Sequence, residues 1–129
     1  MDTPSKKVVW TGRVISILVS LLFLMSAGMK LKGGPELAQG MGKLGLPETM
    51  ITPLAILELT VIIIYLIPQT AVLGAVLLTG YIGGAICTHW RVGDPFILHI
   101  VLGLFVWLGL YLREPRLKPL LPIRTPPAL

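Results

Sequence analysis

Glu58 stands alone in an otherwise apolar run, "ITPLAILELTVIIIYLI", from Ile51 to Ile67. An ionisable group in such a run is costly and marks a candidate functional position. A second stretch, "GGAICTHWRVGDPFILHI" at 83–100, holds both histidines, Arg91, Asp94 and the single cysteine, Cys87. Carboxylates and imidazoles can hydrogen-bond a carbonyl oxygen and move protons. Lys30 follows another apolar run. Turned outward it would snorkel to headgroups; turned inward it would offer positive charge to an anionic or carbonyl-bearing ligand above Glu58. The ligand-binding candidates are therefore Glu58, His99, His89, Lys30 and Arg91, with Arg13, Asp94 and Tyr65 as structural polar candidates. The two histidines with Glu58 and Asp94 match no standard ligand spacing, so no metal site is expected. A lone cysteine excludes a dithiol redox centre complete within this chain.

The elements that must position these groups are read from the apolar blocks Val8–Met29, Ile51–Ile67, Ala71–Trp90 and Phe96–Leu112. Each is near the length that crosses about 30 Å of hydrocarbon at 1.5 Å per residue. Backbone amides in lipid must be satisfied within the segment, so the blocks are expected to be helices. The expected fold is all-α: one domain, a four-transmembrane-helix bundle with helices at about 8–29, 50–67, 70–90 and 95–112. A short amphipathic interfacial helix is expected from Pro35, where Leu37, Met41 and Leu44 recur at helical spacing, either as a lid or as a plain connector. Residues 113–129 form a basic, proline-rich tail. The composition, 54% hydrophobic and 13% charged, agrees with a bilayer environment. The net charge of +5 sits at helix ends rather than on a soluble face, which argues against nucleic acid and for the lipid bilayer as partner.

Depth along the helices limits what Glu58 can meet. It lies about nine residues from either end of its span, near the bilayer midplane. Arg13 could reach it as a structural tether. His99 is roughly 6 Å away in depth, close enough for a hydrogen-bonded acid–base pair, whereas His89 stands roughly 13 Å higher. Tyr65 shares Glu58's face at i+7. On the first span, Ser16, Ser20, Phe23, Ala27 and Lys30 form one stripe, expected to face another helix. In the third span Gly74, Ala75, Gly80, Gly83, Gly84 and Ala85 cover most azimuths, so it is expected to be the most enclosed helix, with Cys87 as a small packing residue. Asp94 before Pro95 looks like an N-cap for the fourth span, with Arg91 as its ion partner.

Seven basic residues (Lys6, Lys7, Arg13, Arg113, Arg116, Lys118 and Arg124) lie on the side of the termini, against four (Lys30, Lys32, Lys43 and Arg91) on the other. Both termini are thus expected in the cytoplasm, with the first span retained rather than cleaved as a signal.

The segments "FLMSAGMKLKG", "LGLP", "LELT", "LTGYIGGAICTHWRVGDP" and "VWLGLYLREPRLKPLLP" resemble the DoxX-like family of small bacterial membrane proteins, from about Arg13 to Pro122. The resemblance implies a four-helix protein of the bacterial inner membrane and carries over Lys30, Glu58, His89, Arg91 and Asp94, while His99 has no clear counterpart. It also implies a link to quinone-associated sulfur oxidation or to membrane-protein maturation. Three functions follow as expectations, in this order. The chain is a binding or accessory subunit for a lipophilic small molecule such as a quinone, in a redox or detoxification system. Alternatively it is a non-catalytic assembly factor or chaperone for another membrane protein. The third, a small transporter, is weakened by the lack of inverted repeats and broken helices. The chain on its own is not expected to be an enzyme, and a membrane-protein partner or homo-oligomer would supply what it lacks.

Overall fold

The computed structural model describes residues 3–127. Five α-helices follow one another: α1 (Lys6–Lys32), α2 (Pro35–Lys43), α3 (Ile51–Leu66), α4 (Ala71–Arg91) and α5 (Ile97–Arg113). Single 3₁₀ turns precede α3 and α4 and follow α5. Counting their leading turns, α1, α3 and α4 are long and apolar enough to cross a membrane; α5, with 17 residues, is apolar and shorter. Leucines and methionines such as Leu18, Met25, Leu98 and Leu104 are more than half exposed on the outside of the bundle. That continuous apolar surface fits hydrocarbon and not water, so the protein is membrane-embedded.

The four long helices form a ring in which α1 packs on α3 and α5, and α4 packs on the same two neighbours from the other side. Val19, Phe23, Ile62, Tyr65, Leu78, Ile82, Val106 and Leu110 fill the centre. Small residues set the two closest approaches. Gly12 of α1 lies on Gly109 of α5, where an added Cβ would come within 2.7 Å of the Gly109 carbonyl. Gly74 of α4 lies against the backbone of Tyr65 on α3, which closes the hairpin turned by Pro68–Thr70. At the end carrying the termini, Leu117 folds back into the core behind the turn Pro115–Leu117. At the opposite end, α2 sets Met41 and Leu44 on Ile51, with Leu37, Leu46 and Leu54 around them, in a cluster separate from the main core.

Gly33 (φ 70°) caps α1, its N–H on the Met29 carbonyl, and two further glycines stop helices. Gly45 (φ 79°) ends α2: its N–H bonds the Gly42 carbonyl and the Leu46 N–H bonds that of Met41. Gly93 (φ 78°) ends α4 in the same way, with Gly93 N–H on the Trp90 carbonyl and Asp94 N–H on that of His89. Both are left-handed C-terminal caps of the Schellman type. The second corrects the sequence expectation for Asp94. Its backbone is committed to closing α4, α5 begins only at Ile97, and Phe96 is the N-cap without a side-chain bond.

The small-residue expectation for the third span, α4, is also corrected. Gly74, Ala75 and Leu78 are buried, but Gly80, Gly83, Gly84 and Cys87 face outward, and a Cβ at any of the three glycines would meet nothing within 4 Å. A helix in a ring of four touches two neighbours and leaves an outer face, so α4 is no more enclosed than α1 or α3.

Candidate functional site

The stripe on α1 faces inward: Ser16, Ser20, Phe23 and Ala27 are all buried. At its upper end Lys30 turns down into the bundle rather than out to the headgroups. Its Nζ donates to Glu58 Oε2 at 2.9 Å and to Ser26 Oγ, one turn below, at 2.7 Å. Glu58 is 1% exposed and the Lys30 side chain 12%. Helical side chains lean toward the N-terminus of their own helix, so a lysine in the last turn of α1 reaches a carboxylate two turns into α3. From α4, Tyr81 stands as Glu58's further polar neighbour.

Arg13, the tether considered from sequence, lies off the buried stripe. It is exposed, with its guanidinium 5.0 Å above the Trp10 ring. His99 does not reach Glu58 either. Because α5 starts at Ile97, His99 sits in its first turn, level with the end of α4, where its ring lies 4.4 Å from that of His89 at an angle of 43°. His89 Nδ1 is 2.7 Å from the Ala85 carbonyl and so carries the proton there, and His99 Nδ1 is buried without a protein partner. Arg91 forms no ion pair with Asp94; it crosses to the loop after α2 and donates to the Leu44 carbonyl.

A groove of about 310 Å³ runs between the last turn of α1, the first turn of α2 and the start of α3. Lys30, Gly34, Pro35, Ala38, Glu48 and Ile51 are among the residues that line it. Lys30 therefore joins the buried carboxylate on one side to this groove on the other. Deeper in the bundle, Tyr65 forms a second polar layer: its hydroxyl donates to the Val106 carbonyl at 2.7 Å and lies 3.0 Å from Ser16 Oγ. With its proton so committed, the tyrosine oxygen accepts from the serine. Arg113 lies 5.0 Å over the Tyr65 ring and donates to its carbonyl at 3.3 Å.

Of the sequence candidates, the fold joins Lys30 with Glu58 and His89 with His99, and separates Arg13, Arg91, Asp94 and Tyr65 from either pair. Ser26, Tyr81 and Arg113 were missed. Ser26 could have been found at i−4 from Lys30; Tyr81 carries no sequence signal beyond being polar in a span. No group of three or more histidine, cysteine, aspartate or glutamate residues lies together among the described residues in a way that could hold a metal ion.

A sequence model described as the DoxX-like family matches residues 14–112, which takes in Lys30, Glu58, His89, Arg91 and His99. No curated protein and no solved structure matches the chain.

Proposed function

The chain belongs to the DoxX-like family, and on that premise we propose that this integral membrane protein binds a lipophilic small molecule with carbonyl or phenolic oxygens, such as a quinone, as a binding or accessory subunit in a redox or detoxification system. The observation that carries the reading is the Lys30–Glu58 pair, buried in an apolar bundle yet bordering a groove. An ammonium has three N–H donors. Two are used, on Glu58 and Ser26, and the third is free for a carbonyl oxygen. The Glu58 carboxylate, with Tyr81 beside it, holds the ammonium in place and can exchange a proton with the ligand through Lys30. The chain's own residues thus bind and orient; electrons would come from a redox partner. The excess of basic residues at the end of the termini supports placing that end in the cytoplasm of a bacterial cell, with the groove on the far side of the inner membrane.

The test is native mass spectrometry in mild detergent of wild type, Glu58→Gln and Lys30→Met, with and without an added short-chain quinone. The expected result is a small molecule held by wild type and lost from both variants. No retained molecule and no quinone adduct on wild type would overturn the reading, and a stoichiometric protein in its place would point to an assembly role.

A further inference from the structure

We infer that α2 is a hinged lid over the Lys30 groove and that Arg91 is the latch that holds it shut. The inference gives the site proposed above its access control. The hinge is Gly33–Gly34, with φ of 70° and 118° and no atoms within 4 Å of where a Cβ would stand. Two successive glycines outside the right-handed regions, in open space, can change φ and ψ without steric cost. The lid is α2 itself. Its apolar residues rest on the start of α3 in a small cluster of their own, separate from the bundle core, so it can lift without unpacking the four long helices.

The latch comes from the opposite side of the ring. Arg91 closes α4 and reaches 47 residues back in the chain to the carbonyl of Leu44, at the far end of α2 from the hinge. This donor is ionised, and such bonds are about twice as strong as neutral ones. Gly45 leaves the room it needs: a Cβ there would stand 3.1 Å from Arg91 Nη2. Pro35 and Ala38, in the first two turns of the lid, form one wall of the groove whose other wall is Ile51 and Thr52 and whose inner end is Lys30. Lifting α2 about the hinge widens that groove toward Lys30, and the Arg91 bond opposes the motion.

The test measures access directly and needs no ligand. In a Cys87→Ser background, which removes the native thiol, Ile51→Cys places a thiol on the groove wall, buried beneath α2. Its reaction rate with a small water-soluble anionic methanethiosulfonate is read by mass spectrometry on the full-length chain in detergent. Two further changes release the latch by different means. Arg91→Gln removes the charge but keeps an amide donor, and Arg91→Met removes every donor at a similar side-chain length. Each is expected to raise the rate about tenfold or more, the size of one lost charged hydrogen bond in the opening equilibrium. Rates equal to the parent's in either variant that elutes as a folded protein would overturn the lid, as would a parent thiol that already reacts as fast as a free one. Latch-dependent labelling in a protein that binds no quinone would leave the lid standing and refute only the ligand.

Discussion

Replacing Lys30 by methionine takes the cation from a carboxylate that is 1% exposed and leaves Tyr81 as its remaining polar neighbour. Breaking a buried pair by removing one partner costs about 3–5 kcal/mol, because the remaining charge is uncompensated. At roughly 4 °C per kcal/mol for a chain of this length, Lys30→Met should lower Tm by roughly 12–20 °C. Glu58→Gln should cost less, since Lys30 keeps Ser26 at 2.7 Å, gains the amide oxygen and retains 12% exposure toward the groove. The double variant Lys30→Met/Glu58→Gln removes both charges and should be more stable than Lys30→Met alone, by about 2 kcal/mol or more, because desolvation of the ions offsets much of what their attraction contributes. The assay is thermal unfolding in one detergent at fixed protein concentration, followed by the fluorescence of Trp10, Trp90 and Trp107. A Lys30→Met protein within about 1 kcal/mol of wild type, or a double variant no better than that single one, would show that the pair is not energetically coupled. The reasoning about its burial would then be wrong.

Two glycines of α4 should respond in opposite ways. Gly74→Ala puts a methyl on the backbone of Tyr65, which cannot yield as a side chain can, and should cost about 3 kcal/mol, the upper end for overpacking. Gly80→Ala meets open space and should be neutral or stabilising by up to about 1 kcal/mol through helix propensity; equal Tm values for the two would contradict the assigned face of α4. At the tail, the two bonds from the Arg116 guanidinium, at 2.8 and 3.0 Å, hold the Glu114 carboxyl below the usual carboxylate range. A lowered folded value means that this link is present above the ordinary carboxylate pKa and is lost as the pH falls through Glu114's own value. Arg116→Gln should move the Glu114 titration, followed by carboxyl carbon NMR, to higher pH, and an unchanged midpoint would refute the pairing.

The sequence by itself determined the all-α class and the number of apolar helices, because bilayer thickness and backbone satisfaction leave a 20-residue apolar run few other options. It also determined which face of α1 turns inward, since Ser16, Ser20, Ala27 and Lys30 recur at the helical period. The cost of a lone carboxyl in hydrocarbon marked Glu58 in the same way. Tertiary structure alone decided the pairings. Arg13 was the cation read as within reach of Glu58, but it faces out over Trp10, and Lys30, on the inward stripe, makes the pair instead. The depth of His99 depended on where α5 starts, and that was set by the backbone cap at Gly93, which fixed His99 beside His89 instead of Glu58. The outer face of α4 could not be read from small residues spread over most of its azimuths, because which glycines meet a neighbour follows from having two neighbours in a ring of four. Arg91's partner was hidden for a different reason: every residue has a backbone carbonyl, so nothing in the sequence singles out that of Leu44, and only the placement of α2 beside the end of α4 brings it into reach.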